Sequence, residues 1–278
     1  MCRICGFRSV ILSQVHQSLI HADNALQYQG EYHPDGWGVA YYVAGAPHVV
    51  KSKESALDDH LFKRVSGVVS SQTVVAHIRK ATLGNNNILN THPFQFGKWI
   101  FAHNGNIKNF SNYREQLLKL IKPELRRFIL GDTDSEIVFY LLLSKISEKS
   151  DITRDFSYQI LRTSVEEGLE AIQKIVGEFE TDEDAGNTET YFTFILTDGK
   201  MMIAHHGGQE LHYSTYKTKC FDRDRCPSFS KECEAPTQSG FVNHLIFSSE
   251  VLQGENIWTK MKPSEIIGIN SQMKLFTP

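Results

Sequence analysis

Residues 191–205 read YFTFILTDGKMMIAH. Aromatic and β-branched residues fill Tyr191 to Thr197, and apolar residues return from Met201 to His205, the composition of two strands. Asp198-Gly199 stands between them, a hairpin dipeptide suited to the positive φ of a tight turn. Working outward, Leu211 to Ser214 and Val242 to Ser248 read as further strands. In the first half Gly36 to Val43, Thr73 to Arg79 and Trp99 to His103 do the same. Asn104-Gly105 follows the last of these as a turn signal.

Between the two strand-rich stretches the periodicity changes. Asp134 to Ser147 has helical spacing and opens on Thr133-Asp134-Ser135-Glu136. That is the pattern of a capping box, in which the Thr133 hydroxyl and the Glu136 carboxylate satisfy opposite backbone donors. Ile160 to Phe179 predicts another long helix, and 57–66 and 112–121 shorter ones. Ser9 to Gln29 carries Val10, Leu12, Val15, Leu19, Ala22 and Leu26 at roughly helical spacing, which predicts a helix there too. Strands enclosing a helical middle make the class α+β, with sheets covered by helices. No internal repeat is visible, and no shift of composition marks a boundary, so one domain is expected over 1–278. Residues 180–190 and 217–240 read as surface loops.

The chain has 278 residues, 41% hydrophobic and 22% charged, an ordinary globular balance that excludes a disordered chain. A net charge of -3 gives no electrostatic case for nucleic acid. The longest apolar run, Ile137 to Leu143, is far short of a membrane span, and the first residues lack the look of a signal or transit peptide. A cytoplasmic protein is expected. Its five cysteines are an odd number without disulfide-framework spacing, so free thiols are expected.

Six short stretches carry groups with chemistry to offer. Loss of Met1, which aminopeptidases remove before a small residue, would leave Cys2 with a thiol and a free α-amine. Such an amine has a pKa of about 7.7–8.0 and can serve as a base for the thiol beside it. The plainer reading of Cys2 is a small apolar residue in a first strand. In HPDGWG (33–38), Asp35 can orient a ligand or cap a turn. In HIRKATLG (77–84), Arg79 at a strand end can grip a carboxylate through two parallel hydrogen bonds, or lie on the surface. In NTHPF (90–94), His92 can line a site or support its loop. In AHNGNI (102–107), an Asn amide beside a glycine N–H can hold an oxyanion, or form a hairpin turn. In GDTDSE (131–136), Asp134 can bind an ammonium group, or cap the helix.

In this order the set resembles the class II glutamine amidotransferases, the N-terminal-nucleophile glutaminases. Within them it is most similar to standalone members without a synthase domain. ILTDG (195–199), SSE (248–250) and GENIW (254–258) extend the likeness, which covers most of the chain except 217–240. The resemblance implies a four-layer αββα sandwich. It also implies Cys2 as nucleophile with its own α-amine as base, and Asn104 with the Gly105 N–H as oxyanion hole. Arg79 would clamp the substrate α-carboxylate, Asp134 its α-ammonium, and Thr82 would line the pocket. His92, Asp35 and Trp37 are further candidates for lining it. No cofactor and no metal are implied. The expected partner is a small γ-glutamyl substrate, glutamine or a γ-glutamyl conjugate, cleaved to release glutamate. A separate ammonia-accepting synthase is one alternative, and a non-catalytic γ-glutamyl-binding subunit another. Two positions depart from the synthase-coupled pattern: Lys80 stands where a Trp is common, and Leu83 where a His is. The loop 217–240 is expected to shape the leaving-group side.

Overall fold

The computed structural model describes residues 2–14, 26, 31, 33–81, 84–183, 185–186 and 188–278. Two antiparallel sheets lie face to face. The first holds β1 (Arg3–Gln14), β2 (Trp37–Val43), β3 (Ala46–Ser52), β4 (Ser70–Ile78), β9 (His212–Ser214), β10 (His244–Ser248) and β11 (Thr259–Lys260). Their spatial order is β11-β9-β10-β1-β4-β2-β3. The second holds β5 (Phe94–Phe96), β6 (Trp99–Asn106), β7 (Tyr191–Thr197), β8 (Met202–His205), β12 (Ile266–Ile269) and β13 (Leu275–Phe276), in the order β13-β12-β8-β7-β6-β5.

Side chains of period 2 divide each strand between two layers. Ile4, Ala40, Val75, Phe247, Ile100, Ala102, Ile195 and Ala204 form the core between the sheets. At Gly6 no side chain projects into it. A Cβ there would lie 2.8 Å from Ile195 Cδ1 of the opposite sheet. The outer face of the first sheet, with Cys5, Trp37, Val39, Ala76 and Ile78, packs against Phe62 of α1 (His60–Val68) and against Leu26.

The outer face of the second sheet, with Phe101, Phe192 and Phe194, is covered by a helical layer. That layer contains α2 (Phe110–Leu120), the short α3 (Pro123–Arg126), α4 (Asp134–Lys149) and α5 (Tyr158–Val176). The run Ile137 to Leu143 is buried all round because α4 lies against the sheet with α2 and α5 beside it. Helix, sheet, sheet and helix make the four-layer αββα sandwich.

Three expectations are corrected. Residues 9–14 are not helical: they continue β1, paired through Ser13 with Ser71 and Gln14 with Ser70. The rest of the expected helix lies outside the described residues, apart from the buried Leu26. Asn104-Gly105 is not a turn, because β6 runs on to Asn106 opposite Tyr191. The capping box is half formed: Thr133 Oγ1 accepts the Glu136 N–H at 3.3 Å, but the Glu136 carboxylate accepts from Leu130 and Gly131 instead. Among the described residues no helix is long and apolar enough to cross a membrane.

Candidate active site

Cys2 directly precedes β1. The alternation that turns Ile4 and Gly6 inward directs Cys2 to the same face. Its half-buried thiol lies 3.3 Å from both the N–H and the C=O of Lys80. Burial pushes the thiol pKa up, while the Lys80 N–H and the positive charges of Arg79 and Arg3 pull it down.

Lys80 and Arg79 follow β4, whose inward residues are Val75 and His77, so Arg79 also lies between the sheets. It is buried, and its guanidinium donates to the Asn85 carbonyl at 3.4 Å. Burial works against its charge; Cys2 and Asp35 lie near enough to favour it. The HPDGWG turn holds this segment in place. The Asp35 N–H donates to the Arg79 carbonyl, and the Arg79 N–H to the Gly36 carbonyl. The Asp35 carboxylate accepts the Ala81 N–H at 2.8 Å. Asp35 is therefore a brace for the arginine strand end. Trp37 does not line the site. It is paired with Ile78 on the outer face, packs edge-on against Phe62 at 5.0 Å, and donates its indole N–H to Asp59.

Gly38 lies opposite His77. A Cβ there would collide with the His92 carbonyl, so only glycine lets NTHPF cross the inner face of β2. The His92 ring is buried and packs at a tilt against His77, with centroids 4.2 Å apart. Burial keeps both neutral: His77 is drawn down to about 3, and His92 well below its ordinary value. His92 thus backs the strand that carries Arg79.

Across the gap, Asn104 lies on β6 with the inward-facing Ile100 and Ala102. It is 1% exposed, and its Oδ1 has no hydrogen-bond partner among the described residues. Gly105, half-buried, follows it opposite Phe192. Beyond Gly105 the strand is tied to the start of α4. Asp134 Oδ2 accepts the Ile107 N–H at 2.6 Å, and Oδ1 accepts from the Ser135 N–H and hydroxyl. A carboxylate has about four lone-pair sites, so these three bonds leave room for another donor. Burial raises the Asp134 pKa to about 6. Ser135 also meets His103 Nδ1 at 2.9 Å, and His103 Nε2 meets the Tyr191 carbonyl at 3.1 Å.

Cys2 and Arg79 thus lie on the inner face of the first sheet and Asn104 on the inner face of the second, with β1 and β4 packed over β6 and Asp134 anchored to the end of β6. Thr82 lies outside the described residues. Sequence reading passed over Asn85 and Asn90, which wall the arginine side. Asn90 donates to the Asn85 carbonyl and accepts the Asp132 N–H. Asn85 lies between two motifs and Asn90 opens the second, and only that placement could have signalled them. The loop 217–240 is not beside Cys2. It lies against Ser9–Gln14 and Asn243–His244, closing a cavity of about 460 Å³ at the far end of β1. Six residues of strand lie between Cys2 and Ser9, a rise of about 23 Å.

Solved structures share this architecture. The glutamine aminotransferase class-II domain protein of Silicibacter pomeroyi superposes with a TM-score of 0.62 at 19% identity, covering 100% of this chain and 98% of that one. The glutamine phosphoribosylpyrophosphate amidotransferase of Bacillus subtilis gives 0.61 at 14% identity, over 100% of this chain and 49% of that one. The fold is that of the N-terminal-nucleophile hydrolases. The profile of the class-II glutamine amidotransferases matches residues 1–272, and the chain belongs to that family. A relative in Saccharomyces cerevisiae, the probable glutamine amidotransferase DUG3, is 31% identical over 96% of this chain and 77% of its own. The glutamine–fructose-6-phosphate aminotransferase of Chlamydia trachomatis is 30% identical over 49% of this chain and 21% of its own.

Proposed function

We propose that the protein is an amidohydrolase of γ-glutamyl amides. The placement of Cys2, Arg79 and Asn104 on the inner faces of two packed sheets, with Asp134 securing the end of β6, carries this reading. Loss of Met1 leaves Cys2 with a free α-amine. That amine takes the thiol proton, and the sulfur attacks the δ-carbonyl carbon. Negative charge gathers on the carbonyl oxygen, where the Asn104 amide and the Gly105 N–H receive it. The amine passes its proton to the leaving nitrogen as the C–N bond breaks, giving ammonia or a free amine and a thioester on Cys2. Water, deprotonated by the same amine, cleaves the thioester to glutamate and restores the thiol. Arg79 pairs with the α-carboxylate and Asp134 accepts from the α-ammonium, so the site selects an L-γ-glutamyl head group.

The test is glutamate release from glutamine and from γ-glutamyl amides by protein whose intact mass shows Met1 absent. Release that disappears in Cys2→Ala supports the reading; release that persists there overturns it. A second reading is a glutaminase that hands its ammonia to a separate synthase. It is favoured by the Chlamydia enzyme, where the matching region is a fifth of a longer protein. Ammonia release that rises on adding a purified acceptor enzyme would select it.

A further inference from the structure

Between β8 and β9 the chain leaves the second sheet and enters the first. The crossing segment, residues 206–211, is tied to β7 beside Asn104. The Phe192 N–H donates to the Gly207 carbonyl at 2.7 Å. Thr193 Oγ1 accepts the N–H groups of Gly207 and Gln209, each at 3.0 Å, and donates to the Gln209 carbonyl at 2.8 Å. Thr193 is the residue directly opposite Asn104. Opposed residues of an antiparallel pair share a face, with Cα atoms about 4.5–5.5 Å apart. The Gln209 backbone is therefore held next to the candidate oxyanion residue, on the inner side.

Strand order gives the direction. In the first sheet β4, with Arg79 just beyond it, is followed by β1, then β10, then β9. In the second sheet β6 is followed by β7 and β8. β4 and β1 both pack over β6, and β1 also over β7. The two series run the same way. The head-group side, at Arg79, lies on one flank of Cys2 and Asn104, and the 206–211 crossing on the other. A γ-glutamyl amide gripped at Arg79, with its δ-carbon at Cys2, directs its leaving nitrogen toward the crossing.

There Gln209 is 7% exposed, and its Nε2 finds no hydrogen-bond partner among the described residues. A buried amide donor left unmatched is costly, and a ligand acceptor relieves it. The outer side of the crossing is closed by charge pairs. Lys260 lies 3.1 Å from Glu183 and 3.6 Å from Glu210, and His206 Nε2 lies 3.6 Å from Glu183. We infer that residues 206–211 form a leaving-group subsite in which Gln209 Nε2 receives a carbonyl or carboxylate oxygen. The favoured substrates are then γ-glutamyl amides of acceptor-bearing amines, such as γ-glutamyl amino acids and peptides. This inference rests on the γ-glutamyl reading above.

Three probes test it: glutamine, γ-glutamylglycine and γ-glutamyl ethylamide, which has a similar size and no acceptor. The readout is the ratio of kcat/KM for γ-glutamylglycine to that for γ-glutamyl ethylamide, which a general loss of folded enzyme does not move. About tenfold preference is expected in the unaltered protein, the scale of one well-made hydrogen bond to a charged group. Gln209→Ala should bring the ratio near one. Gln209→Glu, which keeps the length and removes the donor, should bring it below one. A ratio near one in the unaltered protein, or a ratio that Gln209→Ala leaves unchanged, overturns the inference. Calorimetric binding of the same compounds to Cys2→Ala separates the two readings. Binding that prefers γ-glutamylglycine and loses the preference on Gln209→Ala, without turnover in any active-site background, keeps the subsite and sinks the hydrolase. Turnover without preference keeps the hydrolase and sinks the subsite.

Discussion

Cys2, just before β1, and Cys5, within it, stand three residues apart and experience different chemistry. Cys5 points outward into the apolar layer around Trp37 and Phe62, where burial alone acts on it and its pKa is pushed up to about 12. Cys2 points inward at the mouth of the sandwich. Burial raises its pKa too, but a backbone N–H and two arginines work in the opposite direction. A strand's alternation thus gives two cysteines of one short segment different surroundings. The difference between the thiols lies in what each faces, not in the residue.

The largest expected break of that comparison comes from the nucleophile. Cys2→Ala should lower kcat/KM for glutamate release by about 10⁴-fold or more, as removal of a nucleophile does elsewhere. Cys5→Ala should retain activity within a few-fold per folded molecule. Iodoacetamide followed by peptide mass mapping should label Cys2 well before Cys5, and equal labelling would erase the distinction drawn between the faces. Asn104→Ala comes next. Loss of one oxyanion donor should cost about 10²–10³-fold in kcat, measured under saturating substrate.

A pH profile sharpens the inner face further. Asp134 must be ionised to hold an ammonium group, so kcat/KM should rise with pH through about 6. In Asp134→Asn the remaining activity should show no limb there. Stability runs the other way. The folded-state pKa lies above the unfolded value of about 3.9, so the fold holds this proton more tightly. The stabilising contribution of Asp134 is complete below about 4 and is lost as pH rises through about 6. The smallest effect belongs to the outer face. Trp37→Phe keeps most of the apolar contact with Phe62 and loses the bond to Asp59, at a cost of about 1 kcal/mol in chemical denaturation. Its kcat/KM should not change.

The legible parts of the fold were those whose local signal agreed with their tertiary partners. β7 and β8 with Asp198-Gly199 were plain, and α4 announced itself with Thr133. What escaped did so for physical reasons. The apolar residues of 9–14 fit a helix equally well, and pairing with β4 decided the matter. The β2–β3 hairpin turns on Ala44-Gly45, with Ala44 at φ 50°, a position where Asn or Asp gives the usual signal. Asn104-Gly105 is a turn dipeptide held straight by β7 along its whole length. In the candidate site, Cys2, Arg79, Asn104 and Asp134 are suggested by the order of the whole motif set and its resemblance to a known family, since each motif alone fits a structural role as well. Trp37 was drawn toward the site by its neighbours Asp35 and Gly36, and alternation turned it outward. Gln209 had no motif around it; its position depends on where a crossing segment lands, which no local pattern encodes.

Gly6 gives the sandwich a mechanical property. Its bare backbone lets the two sheets approach closely opposite Ile195, only a few residues in from the tip that carries Cys2. Adding one methyl there either displaces Ile195 or spreads the tips. Reacting groups tolerate little spreading, since about 1 Å of misplacement can cost a hundredfold in rate. The closeness of the two sheets near Cys2 thus depends on an atom that is missing.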